Sequence, residues 1–192
     1  MADIAKHFGS GVSNGSVVAG VVDGSVALNN AIQEFIGYQD GALQPSAGLF
    51  LTNAPQFSFR TRDLDFINAP TAMSSFRIAS KAYSDAGGVG AASISFAAAS
   101  GLLIPGGISV GAGGVAELTV IGIPLSSDGT TSPITPGTTA IAAGTHGDAY
   151  TMGAVQWGTT ITALQNVNFS WGYEPQTNEG ENGNPFPTEV YI

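Results

Sequence analysis

Hydrophobic and polar positions alternate over much of this 192-residue chain, which is the spacing of half-buried β-strands. Residues 115–123 are rich in β-branched side chains and form the strongest predicted strand, and residues 161–173 form the longest one. The alternation in residues 56–60, 75–81 and 92–97 predicts a buried face made of Phe57, Phe59, Phe76, Ile78, Ile94 and Phe96. We therefore expect a mainly β fold, either a β-sandwich or a β-barrel.

Two short segments have helical features. Residues 29–37 start with asparagines that can cap a helix, carry apolar residues at helical spacing and end at Gly37. A strand ending at Gly37 is the alternative for this segment. In residues 61–68, Thr61 can cap a helix whose extension Pro70 prevents. These segments predict one or two short helices beside the sheets.

The domain organisation follows from where the strand pattern is interrupted. Residues 1–20 are rich in glycine, serine and asparagine without a sustained period, and we expect an extended or flexible arm. Residues 21–192 then form a single β domain, with a hairpin or bend at Asp23 and Gly24 and an exposed loop near residues 38–48. The N-terminus lacks the apolar stretch of a secretory signal, and no run of 18 apolar residues occurs. We expect a soluble chain, made in the cytoplasm, with no membrane partner.

Charge is distributed unevenly along the chain. Fourteen acidic residues against five basic ones leave a net charge of -9, which argues against tight binding of nucleic-acid phosphates. All five basic residues precede position 82, whereas residues 82–192 carry eight carboxylates and no lysine or arginine. The acidic part either keeps the surface soluble by repulsion or forms a surface that must repel polyanions.

Few residues are suited to catalysis. The chain has no cysteine and only two histidines, His7 and His146, neither of which lies in a recognisable catalytic or metal-binding pattern. Residues 178–184 gather oxygen-bearing side chains that could hold a hard cation, but a hairpin turn explains them better. The sequence therefore predicts a non-enzymatic protein without a cofactor or metal. Glycine-rich strands and an exposed mid-chain loop favour a protein that assembles with copies of itself.

Several segments resemble bacteriophage tail tube (major tail) proteins. Residues 101–120, with the order GLLIPGGISVGAGGVAELTV, followed by 127–130 and Pro133, resemble the core of that family. Residues 155–158 and 164–173 are similar to its closing strand, and residues 182–190 to its final Pro-x-Pro-Thr strand. Residues 55–64 resemble a strand followed by a short helix in the same group.

The resemblance implies a structural virion protein. It implies a β-sandwich or barrel subunit with a flanking helix, hexameric rings whose sheets join into one inner barrel, and stacking of those rings into a hollow tail tube. Partners would be further copies of the chain and other tail proteins, and DNA would pass through the lumen without being bound. The protein would be located in the virion tail.

Two sets of residues are candidates for these roles. Carboxylates along a conduit keep a polyanion mobile, and the candidate lumen-facing acids are Glu117, Asp128 and Asp148. The candidate inter-ring loop contains Asp40, Gly41, Leu43 and Gln44.

Two other functions remain open at the level of the sequence. A capsid decoration protein, or another β-rich virion module, would also be acidic and lack catalytic groups. A carbohydrate-binding β-sandwich could use Trp157, Trp171 and Tyr173 as a stacking platform, although aromatic residues that alternate on a strand are more often part of a core.

Overall fold

The computed structural model describes residues 10–39, 42–83, 89–141, 149–161, 164–179 and 183–192. Within these residues the protein is mainly β, as the alternation predicts, with several antiparallel sheets and almost no helix. The strands are β1 (Ser10–Asn14), β2 (Ser16–Val17), β3 (Val21–Gln39), β4 (Ala42–Thr61), β5 (Thr71–Ala72), β6 (Phe76–Tyr83), β7 (Val89–Ala98), β8 (Gly101–Gly111), β9 (Glu117–Pro124), β10 (Thr135–Gly137), β11 (Val155–Trp157), β12 (Thr159–Ile161), β13 (Asn166–Ser170), β14 (Gln176–Thr177) and β15 (Val190–Tyr191).

Two larger sheets contain most of these strands. The first sheet has the order β10-β7-β6-β1-β2, and the second has the order β13-β8-β9-β4-β3, with β5 added beside β8. Two separate hairpins, β11-β12 and β14-β15, complete the described strands. Every described strand pair is antiparallel.

The core lies between the two larger sheets. Phe76 of β6 packs against Phe57 and Phe59 of β4, with ring centroids 4.8 Å and 6.1 Å apart. All three rings are fully or almost fully buried, as the alternating pattern predicts. The same core contains Leu118 and Val120 of β9. Burial of large apolar side chains from both sheets is the main term that holds the two layers together.

Both helix predictions are wrong. Residues 29–37 lie within β3, where Ile32 is in register with Phe50 and Phe35 with Ala47. The continuous ladder to β4 satisfies the backbone groups and so overrides the helical spacing, as the strand alternative allows. Residues after Thr61 form turns instead of a helix. The Thr61 hydroxyl does accept the Asp63 N–H at 3.0 Å, but it also donates to the Ala19 carbonyl, so it closes a strand.

Three further segments differ from the expected organisation. Asp23 and Gly24 do not form a hairpin, because β3 continues through them with a register shift between Val21 and Asp23. Residues 38–39 end β3 and residues 42–48 begin β4, so the segment predicted as an exposed loop is strand on both sides. Within the segment predicted as an arm, Ser10–Asn14 pairs with Phe76–Ser80 and so belongs to the first sheet.

Candidate functional site

The longest feature of the fold is the hairpin made by β3 and β4, with 19 and 20 residues in its strands. Near its base, β4 also pairs with β9, from Phe57 to Thr61. Beyond that point residues 28–39 and 42–55 are in register only with each other among the described residues. We call this part of the hairpin the distal ribbon. Its twelve β3 residues reach about 40 Å at 3.3 Å per residue.

The composition of the distal ribbon is apolar for a two-stranded element. It contains Ile32, Phe35, Ile36, Leu49, Phe50 and Leu51. Only Glu34 and Asp40 are charged in residues 28–55, and residues 42–54 contain no charged side chain. An isolated two-stranded hairpin is marginally stable in water, and it becomes stable when further strands or another surface cover it.

An ion-pair network crosses the base of this hairpin. Arg60 of β4 donates through Nε to Asp23 Oδ2 of β3 at 2.9 Å and through Nη1 to Glu117 Oε2 of β9 at 2.8 Å. The hydrogen bond from Arg60 lowers the pKa of Asp23, and the same contact raises the pKa of Arg60. The Arg62 Nε lies 3.9 Å from Glu117 Oε1. Two guanidinium groups thus face two carboxylates across three adjacent strands.

This network changes the interpretation of Glu117. Its side chain is 18% exposed and both carboxylate oxygens face arginines. In the sequence Arg60 lies 57 positions away, so no local spacing could have indicated the pair. The structure places Glu117 in a charge-balanced cluster rather than as a free acid.

Asp128 organises a tight turn after β9. Its carboxylate accepts the backbone N–H groups of Thr130 at 2.9 Å and Thr131 at 2.7 Å, and the hydroxyl groups of Thr131 and Ser126. The hydrogen bonds from Thr131, then those from Thr130 and Ser126, hold the pKa of Asp128 well below its ordinary value. The residue is nevertheless exposed, so it presents a fixed negative charge at the surface.

The other sequence candidates have different positions. Asp148, Asp40 and Gly41 lie outside the described residues. Leu43 and Gln44 lie in β4 at the far end of the distal ribbon, in register with Tyr38 and Gly37. The candidate inter-ring residues and the lumen candidates Glu117 and Asp128 are therefore at different places in the fold.

The C-terminal segment fastens the base of the hairpin to the Asp128 turn. The Asn53 N–H donates to the Pro185 carbonyl at 2.6 Å, and the Ser126 N–H donates to the Pro187 carbonyl at 2.8 Å. The Phe186 N–H donates to the Gly129 carbonyl at 3.0 Å. These backbone hydrogen bonds connect residues near the ribbon, the turn and the chain end in one structural unit.

An apolar groove opens beside the base of the hairpin, between β3 and the first sheet. Its volume is about 510 Å³, and its lining includes Gly24, Val26, Ile78, Ile94, Phe96 and Ile134. Ile94 was predicted to be buried, but it is 65% exposed, whereas its neighbours Ser93 and Ser95 are buried. The groove is thus the place where the sheets leave part of the apolar face uncovered.

The aromatic residues of β13 do not form a flat platform. Phe169 is exposed and meets Trp171 edge to face, with ring centroids 4.8 Å apart and an interplanar angle of 85°. Trp171 also packs against the core cluster. Sugar rings stack on exposed, flat aromatic faces, and this perpendicular pair lacks that geometry.

The oxygen-rich segment at residues 178–184 is only partly described. The Asn178 side-chain oxygen accepts the N–H groups of Thr188 and Glu189, both at 2.9 Å. That oxygen therefore holds the C-terminal backbone, while residues 180–182 lie outside the described part. No cluster of three or more metal-ligating side chains occurs among the described residues. None of the helical residues described is part of a helix long and apolar enough to span a membrane.

Comparison with protein-family models and with curated proteins finds no match for this chain.

Proposed function

We propose that this protein is a structural virion subunit that assembles with copies of itself into stacked, hexameric rings, forming a hollow tail tube through which DNA passes. The observation that carries the proposal is the distal ribbon. Its two strands extend about 40 Å beyond the last contact with β9 and have no other register partner among the described residues.

The ribbon needs a partner for physical reasons. Its backbone edges carry unpaired N–H and C=O groups, and its sequence is apolar enough to be a poor solvent-exposed element. A second copy supplies a matching surface in a stacked assembly, and it buries apolar area that the single chain leaves open. The candidate inter-ring residues Leu43 and Gln44 lie at the ribbon end, where such a contact would form.

Open sheet edges support lateral association as well. In the second sheet, β3 and β13 are the terminal strands, so each lacks a neighbour on one side among the described residues. Strand edges that pair with a neighbouring copy satisfy their backbone hydrogen bonds and are protected from nonspecific pairing. A closed ring accounts for such edges without leaving a free end.

Charge supports a conduit that does not bind its cargo. The eight carboxylates in residues 82–192 have no basic residue within that segment. Glu117 is balanced by arginines from β4 and its end, so it adds little to a repulsive wall. Asp128 remains ionised and exposed and fits that role better. Each phosphate neutralised by a wall would add salt-sensitive affinity and slow DNA passage.

The test is whether the purified chain builds rings and tubes alone. Light scattering after size-exclusion chromatography, followed by electron microscopy at rising concentration, is expected to show rings of six and tubes. Phe50→Glu places a charge in the ribbon and is expected to leave a folded monomer that does not stack, with unchanged circular dichroism. A monomeric wild-type chain at millimolar concentration would contradict the proposal, and closed trimers would favour a capsid decoration protein.

A further inference from the structure

The apolar groove beside the hairpin base has a chemistry that restricts its occupant. All ten residues that line it are uncharged, and they include Val26, Ile78, Ile94 and Phe96. Ile94 is the most exposed large hydrophobic residue described, at 65%. An uncharged, open groove of this kind favours an uncharged apolar segment over a charged one, because a charge placed there would lose hydration without gaining a partner.

The walls of the groove are formed early in the hairpin. Gly24, Ser25 and Val26 of β3 form one side, and β6 and β7 form the other. Gly24 is required for this approach, since a Cβ at that position would lie 2.4 Å from Ile78 Cδ1. The groove therefore depends on the same strand that continues outward into the distal ribbon.

The distal ribbon has the matching chemistry. Residues 42–54 contain no charged side chain and include Leu43, Leu49, Phe50 and Leu51. However, the ribbon cannot reach the groove of its own chain. From Val26 to Gln39, β3 stays paired with β4, so the tip lies about 40 Å from the groove.

We propose that the groove of one chain receives the ribbon end of a second copy, with Leu43 near Ile94. This rests on the proposed function, because it supposes that the chain assembles with itself, and it names the surface that meets the ribbon. The contact is heterologous, since the groove and the ribbon are different surfaces of the same chain. Such contacts repeat along an axis and generate open stacks. The separation of groove and tip predicts an axial repeat of about 40 Å.

Cysteine cross-linking tests the contact directly, because the natural chain has no cysteine. Two proteins are made, one with Ile94→Cys and the other with Leu43→Cys, and equal amounts are mixed, assembled and oxidised. A disulfide between the two different chains is expected in most of the assembled material. The control mixes Leu43→Cys with Ile161→Cys, an exposed isoleucine on the β11-β12 hairpin, and at least tenfold less cross-linking is expected.

The outcomes separate this contact from the proposed function. Tubes that form without the Ile94–Leu43 cross-link would overturn the groove contact and leave the tube proposal intact. Absence of any assembly would overturn both. Ile94→Glu supplies an independent readout: as Ile94 is exposed, the monomer is expected to stay folded while stacking falls at least tenfold, and normal stacking would contradict the proposal.

Discussion

The body and the distal ribbon are built from the same two strands but differ in what surrounds them. In the body, β4 is flanked by β3 and β9, and Phe57 and Phe59 are buried against the first sheet. In the distal ribbon, β4 is in register with β3 alone. The body thus obtains its stability from contacts within one chain, whereas we propose that the ribbon obtains its own from a second copy. One strand can serve both purposes because its two halves have different neighbours.

The largest effect is expected from comparing two phenylalanines of β4. Phe57→Ala removes a fully buried ring and is expected to lower the free energy of unfolding by about 3–5 kcal/mol. Phe50→Ala, in the ribbon, is expected to lower that of the monomer by less than about 1 kcal/mol and to weaken assembly instead. Urea denaturation and sedimentation measure the two effects. Equal losses of monomer stability would contradict the distinction between body and ribbon.

A second comparison tests how tightly the body is packed. Gly101 has φ +148°, and a Cβ there would lie 2.3 Å from the Ile123 carbonyl oxygen. Gly101→Ala is expected to cost about 2–4 kcal/mol, since backbone strain and the clash act together. Gly113 has φ +72° and open space around its Cβ position, so Gly113→Ala isolates the cost of the dihedral alone, about 1 kcal/mol. Thermal unfolding of both variants measures the difference.

A third prediction concerns the Asp128 turn, which joins the body to the segment that holds the ribbon base. The pKa of Asp128 is lower in the folded chain than its ordinary value of 3.8. The stability it contributes is therefore present above about pH 4 and is lost as the pH falls further. Asp128→Asn is expected to lower the unfolding temperature at pH 7, and the difference from wild type should shrink below pH 4. Asp65→Asn, at an exposed turn position, serves as the control. A difference that stays constant down to pH 2 would contradict this prediction.

The smallest effect is expected at the ion pairs that cross the hairpin base. Arg60 is 45% exposed, so solvent screening limits each of its ion pairs, and Arg60→Met is expected to cost less than about 1 kcal/mol. The loss should decrease further at high salt. A double-mutant cycle with Asp23→Asn measures the coupling between these two side chains. Coupling that is large and independent of salt would show that the network is more important to the hairpin base than its exposure suggests.

Much of the fold can be predicted from local pattern. Alternation in residues 56–60 and 75–81 correctly placed Phe57, Phe59, Phe76 and Ile78 inside. The same reasoning failed at β7, where Ser93 and Ser95 are buried and Ile94 is exposed. Period-two spacing tells which residues share a face, but it does not tell which face the rest of the chain covers. On β7, Gly137 approaches the Ser95 hydroxyl on one face, and the groove leaves Ile94 open on the other.

The candidate site was predicted only in part. The mid-chain segment around Leu43 and Gln44 stood out by its position, and the structure places both residues at the ribbon end. The balance of charge at Glu117 could not be predicted, because Asp23, Arg60 and Glu117 are brought together by strand order rather than by spacing in sequence.

The amino-acid sequence alone was sufficient to determine the β class, the buried aromatic face and the separation of charge between the two parts of the chain, since these depend on residue type and short-range periodicity. Only the tertiary structure decided the length of the β3-β4 hairpin, the open groove and the pairing of Glu117 with arginines. Those features depend on which distant strands become neighbours, and backbone pairing across a sheet is set by the sum of many long-range contacts.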